Sequence, residues 1–265
     1  MSIFSAILKL AENLPEKSAV IFCQIIVLIY LSCQKKYRAE INSNHTKIFG
    51  FYPRLFWLKQ SLKIGENLGL MSQIGKNKKI LDKTQFYGEN ILSKVMKSNQ
   101  SAIVVSFHYG LWEYLPQIFK KLGYDTYIGI EEQRDQNLAI ELNKLRNSNG
   151  VKVIKTISNM KNVLKSNNSE KPKQLLGFVL DNTSKNRSIR IDEPWQGFSI
   201  LRTPFVLAKS ARVPMLSMFC YHKNAKIIVD IDEVKNQSEL GNRLQSYLKK
   251  NPEDWIFWGK YENRN

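Results

Sequence analysis

The stretch Ala102-Ile103-Val104-Val105-Ser106-Phe107-His108-Tyr109-Gly110-Leu111-Trp112-Glu113 decides how the rest of the chain reads. Ala102 to Phe107 is a short apolar run, rich in β-branched residues, that suits a buried strand. Beyond it, Trp112, Leu115, Ile118, Phe119 and Leu122 recur at helical spacing and stop at Gly123. A strand therefore runs into a helix, with His108 at the exit of the first and Glu113 in the opening turn of the second. On one regular helix, residues five apart point roughly 140° away from each other, so these two side chains meet only across such a junction. There Glu113 is expected to accept the Nδ1 proton of the imidazole, leaving Nε2 to take a proton from a hydroxyl. The structural alternative is a polar strand-to-helix junction whose acidic first turn complements the helix dipole.

Outward from this junction, short apolar runs alternate with helical patterns. Strands are expected over Thr126 to Ile130, Val151 to Ile154, Leu175 to Leu180, Val213 to Tyr221 and Lys226 to Ile231. Helices are expected over Asn137 to Asn147 and Met160 to Leu164, and from Thr203-Pro204 to Ala211, where Thr suits the cap and Pro the first turn. Upstream, residues 1 to 97 read as helices: Ile3 to Leu10, an apolar one, Tyr52 to Leu70 and Gln85 to Met96. The pattern predicts an α/β fold, one continuous domain with a mixed, mostly parallel sheet flanked by helices over 98–265. A helical, membrane-associating region over 1–97 precedes it. Functional groups then gather at strand carboxyl ends, where His108 and Asp181 both fall.

The chain has 40 Lys and Arg against 23 Asp and Glu, a formal charge of +17 that favours acidic partners. Nucleic acid, anionic lipid and an acidic carrier protein all answer that description. No helix-turn-helix, zinc-finger or ribonucleoprotein signature supports nucleic acid, and the charge is spread along the chain. The three cysteines, Cys23, Cys33 and Cys220, fit neither a metal motif nor a disulfide framework. The apolar stretch Ala19 to Cys33 is broken only by Gln24 and is shorter than the roughly 20 residues of a spanning helix. An inserted anchor, an interfacial helix and a buried core helix all remain open. The basic residues after it, interleaved with Tyr37, Phe49, Phe51, Tyr52, Phe56 and Trp57, suit a headgroup layer.

With these elements placed, the chain resembles the lipid A biosynthesis acyltransferases of the glycerolipid acyltransferase superfamily. Phe107-His108-Tyr109-Gly110-Leu111-Trp112-Glu113 is similar to the H-[FY]-G-N-W-E signature of that family, with Leu111 in place of Asn. Tyr87-Gly88-Glu89-Asn90 looks like its lead-in to the first strand, and Arg146-Asn147-Ser148-Asn149-Gly150 matches its R-x3-G step. Asp181-Asn182, Arg187, Trp195-Gln196-Gly197 and Thr203 follow the order of its D-Q-D, Arg, F-F-G and Thr. Asn251-Pro252-Glu253-Asp254-Trp255 looks like its closing P-E-x-W segment. Thr183 departs from the second Asp, Trp195-Gln196 from the paired aromatics, and Gly259-Lys260-Tyr261 from a tail of paired arginines.

The resemblance implies transfer of a fatty acyl group from a thioester, on acyl carrier protein or CoA, to a hydroxyl of a glycolipid such as a lipid A precursor. It implies no cofactor and no metal, and a site on the cytoplasmic face of a bacterial inner membrane. Acylation of a lysophospholipid or amino-acid lipid is the alternative, and a non-catalytic basic membrane-binding protein a further one. His108 and Glu113 are the expected catalytic pair, with Arg146, Asp181, Arg187 and Thr203 binding substrate. Backbone amides at the helix start, or Arg146, are the candidate oxyanion donors. Each has a structural alternative: solvation for Arg146, a turn cap for Asp181, a helix cap for Thr203. Arg187, Arg190 and Arg202 suit lipid phosphates but equally suit the surface of a basic chain. His45 and His222 have no acidic neighbour at useful spacing and read as structural.

Overall fold

The computed structural model describes residues 3–51, 53–76, 80–130, 140, 143, 144, 146, 147, 149–165 and 172–259. Its sheet contains β1 (Thr84–Tyr87), β2 (Ser101–Ser106), β3 (Asp125–Gly129), β4 (Lys152–Ile154) and β5 (Gln174–Val179). The hairpin β6 (Ser188–Ile191) and β7 (Phe198–Leu201) stands apart, and β8 (Met215–Lys223) and β9 (Lys226–Glu233) return to the sheet. The strand order is β1-β9-β8-β2-β5-β3-β4. All neighbouring pairs are parallel except β8 and β9. Those two are joined by Asn224-Ala225, both at positive φ, the turn whose twist matches an antiparallel hairpin. The mixed, mostly parallel sheet is the one expected.

Why β2 sits at the centre follows from its composition. Every residue of it is buried, as parallel strands covered on both faces must be. Ile103 and Val105 face a layer holding α7 (Ile157–Leu164), α8 (Thr203–Ala211) and α9 (Gln237–Lys250). Ala102 and Val104 face α5 (Glu89–Ser98) and α6 (Tyr114–Lys121).

Several boundaries differ from expectation. The helix expected over Gln85 to Met96 is broken at Gly88 (φ 75), so that 84–87 pair with β9 as an edge strand. The sheet thus begins ahead of residue 98. The hairpin β6–β7 and helix α9 were not foreseen. The expected helix over 137–147 lies mostly outside the described residues.

Four helices open the chain: α1 (Ile3–Glu12), α2 (Glu16–Cys33), α3 (Lys35–Phe49) and α4 (Phe56–Ser72). Helix α3 escaped the sequence because its buried positions include Asn42, Asn44 and His45, which leave no apolar stripe. Helix α2 is long and apolar enough, by length and composition, to cross a membrane. One face of it (Ala19, Cys23, Val27, Leu31) is buried. The other exposes Ile21 (57%), Ile25 (51%) and Ile29 (57%), so α2 is a candidate membrane-associating helix.

Gly65 and Gly69 of α4 let α2 come into backbone contact: a Cβ on either would overlap the main chain at Gln24 or Val20. Gly65→Ala is therefore expected to cost about 1–3 kcal/mol, measured as a lower urea midpoint of the purified protein.

Candidate active site

Parallel pairing of β2 with β5 sets Ser106 level with Val179. Two residues further along each strand, His108 and Asp181 emerge side by side. From β2 the chain turns to the face carrying α6, and from β5 to the face carrying α8. Such divergence opens a crevice at the carboxyl ends of a parallel sheet.

The carboxylate on His108 belongs to Asp181, not Glu113. Nδ1 of His108 donates to Asp181 Oδ1 at 2.7 Å, and the His108 amide reaches both carboxylate oxygens at 3.1 Å. Trp255 Nε1 donates to Oδ2 at 2.6 Å. Asp181 is 1% exposed, so these donors replace the water that a buried carboxylate loses. They hold the proton on Nδ1 and leave Nε2 as the basic nitrogen. The imidazole lies between Trp112 and Phe257, with ring centroids 5.1 and 4.4 Å away, and its side chain is 16% exposed.

Glu113 occupies the cap position just before helix α6, not the opening turn expected, and its side chain pairs with Arg146 and not with His108. It receives a bidentate contact from Arg146, Nε to Oε2 at 3.0 Å and Nη2 to Oε1. Both residues are 6% exposed. Burial alone would lower the Arg146 pKa, but the Glu113 charge outweighs it and raises the value. Arg146 is therefore neither solvated nor available to an oxyanion. Its remaining described bond goes to Asn143 Oδ1 at 3.2 Å. The ion pair walls a narrow, largely apolar cavity of about 50 Å³ beneath Trp112, lined also by Leu115, Phe119, Ile128 and Phe178.

The turn between His108 and α6 is fixed by Gly110. Its φ is +58°, and a Cβ there would overlap the Cys220 carbonyl. The amides of Tyr109, Gly110 and Leu111 donate to Phe107, Asp254 and Cys220 carbonyls at 2.7, 2.8 and 2.7 Å. The expected backbone oxyanion donors are thus reduced to Trp112 and Glu113, whose amides donate to no other group among the described residues.

Of the remaining expected residues, Arg187 is exposed on the turn after Asp181, Arg190 is exposed on β6, and Arg202 is exposed just past β7. Thr203 is half-buried and is the first residue inside α8, not its cap; Arg202 takes the cap position without a side-chain bond. His45 is buried among Phe49, Phe51, Phe56 and Trp258, the structural role expected. His222 does have an acidic partner: Nδ1 lies 2.6 Å from Glu66 Oε1, across 156 residues that no local spacing reveals.

Sequence reasoning missed the role of the carboxyl-terminal segment. Ile256 N donates to the His108 carbonyl at 3.1 Å, and Tyr109 bridges Trp255. Amino-terminal helices hold the segment from outside. Gln60 donates to Trp255 O at 2.9 Å, Asn44 to Trp258 O at 2.5 Å, and Tyr37 to Ile256 O at 2.9 Å. A groove of about 900 Å³ lies at the opposite end of the sheet, lined by residues such as Asn99, Pro214 and Glu233, away from His108.

No protein-family model matches the chain, and no curated protein sequence matches it. Among the described residues no cluster of His, Cys, Asp and Glu could hold a metal ion.

Asp254 is 2% exposed, and burial pushes its carboxyl up to about 6, against the pull of Lys63 at 3.6 Å and of Asn67. Between pH 3.8 and 6 the unfolded chain releases this proton while the folded chain keeps it, so its contribution to stability falls as pH rises. Asp254→Asn should match the wild type near pH 4 and exceed it by roughly 2–3 kcal/mol at pH 8, read from paired urea titrations.

Proposed function

We propose that the chain is an O-acyltransferase that moves a fatty acyl group from an acyl thioester to a hydroxyl of a glycolipid at a membrane surface. The observation that carries this reading is the His108–Asp181 pair at the sheet crevice, beside a narrow apolar cavity. Nε2 of His108 takes the proton of the acceptor hydroxyl as its oxygen attacks the thioester carbonyl. The tetrahedral intermediate collapses, the C–S bond breaks, and the imidazolium returns its proton to the leaving thiolate. Asp181 orients the ring and balances the imidazolium charge. The oxygen of the intermediate falls to the amides of Trp112 and Glu113.

Glu113 and Arg146 act by shape: they hold the turn and one wall of the cavity. The acyl donor is acyl carrier protein or acyl-CoA, the +17 charge favouring acidic donors and an anionic surface. The exposed arginines Arg187, Arg190 and Arg202, on and beside the hairpin after Asp181, suit acceptor phosphates. A glycolipid of the lipid A precursor kind fits the motif resemblance, with the reaction on the cytoplasmic face of a bacterial inner membrane.

Helix α2 lies flat in that reading. It packs along α4, which carries Lys63 and Glu66, and spanning would draw those charges toward hydrocarbon. The apolar stripe Ile21, Ile25 and Ile29 then faces the acyl chains.

The test is transfer of radiolabelled acyl groups, from carrier protein and from CoA, to fractionated membrane lipids, lysophospholipids and amino-acid lipids. Labelled glycolipid is expected. His108→Ala and Asp181→Asn should each lower kcat by about 10²–10⁴-fold while the protein remains folded. Glu113→Gln should instead lower stability by about 3–5 kcal/mol, because Arg146 is left buried and unpaired. Transfer to none of these lipids by folded, membrane-bound protein would overturn the reading.

A further inference from the structure

We propose that Trp255 is a positioning residue for the His108–Asp181 pair. The inference rests on the reading of that pair as the base and its orienting carboxylate. Two oxygens of Asp181 have two different tasks. Oδ1 faces His108 Nδ1 at 2.7 Å, and Oδ2 takes the Trp255 indole N–H at 2.6 Å. The His108 amide spans both oxygens at 3.1 Å, and the shorter indole contact adds a directional hold on Oδ2, so that Oδ1 presents a fixed lone pair to the imidazole. The indole donor thus sets the direction from which Asp181 accepts the Nδ1 proton.

The placement of that N–H is itself over-determined. Trp255 is fully buried and packs against Trp195 and Trp258, with centroids 5.7 and 5.1 Å away. Its main chain is pinned on both sides. Gln60 donates to its carbonyl, and Gly110 and Ile256 tie the flanking residues to the His108 loop at 2.8 and 3.1 Å. One short segment therefore holds the base by its backbone and the base's partner by its indole. Packing alone would need no polar contact between Trp255 and Asp181. An indole N–H buried beside a carboxylate is an orienting contact.

The experiment replaces Trp255 by β-(3-benzothienyl)alanine, whose bicyclic ring keeps the indole shape but has sulfur where the N–H stands. Three quantities are read: kcat and KM for acyl transfer, the thermal midpoint, and the ¹⁵N shifts of the His108 ring. The expected result is kcat lower by about tenfold with KM unchanged, and a modestly lower thermal midpoint that leaves the protein folded at the assay temperature. The His108 ring should move from a single Nδ1–H tautomer to a mixture. Unchanged kcat, or an unchanged tautomer, in the sulfur variant overturns the proposal. A loss of thermal midpoint that accounts for all the lost activity also overturns it, since that is the signature of packing alone. The ring spectra need no turnover. Wild-type protein inactive on every acceptor would remove the acyl-transfer reading and leave the tautomer comparison to decide the role of Trp255.

Discussion

Burying the carboxylate of Asp181 is the constraint around which the rest of the structure is arranged. An unpaired carboxylate at 1% exposure would cost several kcal/mol. Two of its partners come from elsewhere in the chain: the residue at the exit of β2, and an indole 74 residues downstream. Neither is local, so the group is satisfied only once β2 and β5 are in register and the carboxyl-terminal segment has docked. That segment in turn is held by Tyr37, Asn44 and Gln60 on α3 and α4. The amino-terminal helices are consequently part of the architecture of the site and not an appendage to it.

The parts legible in the sequence were those written in local periodicity. β2, β5 and the β8–β9 hairpin are apolar runs with clear ends, and α8 carries its Thr-Pro start, so each fell within a residue or two of its place. Helix α3 was not legible, because a helix that buries Asn42, Asn44 and His45 against the carboxyl-terminal segment has no apolar stripe to show. Gly88 delayed the start of the expected helix to Glu89 and left 84–87 to form β1. The site residues were partly legible: His108, Glu113, Arg146 and Asp181 were singled out, but their partners were exchanged. Spacing put a carboxylate five positions from the histidine. It could not show that another waited level with it on the neighbouring strand.

The exchange has a physical cause in the turn after His108. Gly110 takes a positive φ, and the amides of Gly110 and Leu111 find carbonyls on the carboxyl-terminal segment and β8 while that of Tyr109 closes on Phe107. The turn that results sends Trp112 back over the imidazole and Glu113 to the opposite side of α6. An acidic side chain entering a buried, apolar region needs a cation of its own, and the planar guanidinium of Arg146 matches both its oxygens. Histidine and glutamate are thus separated by geometry. Each then acquires the partner that its own burial demands: Asp181 for the imidazole, Arg146 for the carboxylate.

The same reasoning extends to α2. A helix apolar on every side is compatible with a core or with a membrane, and its composition does not choose. Its neighbour does. Gly65 and Gly69 bring α4 into backbone contact with α2 along one face, while the sheet side of α4 places Gln60 and Asn67 against Trp255 and Asp254. One helix thus carries α2 on one side and the clamp of the site on the other. In the proposed acyltransferase, seating Ile21, Ile25 and Ile29 in lipid would fix the position of α2, and through close glycine packing that of α4. The crevice at His108 would then stand at a set height above the bilayer, within reach of a hydroxyl presented by a lipid headgroup.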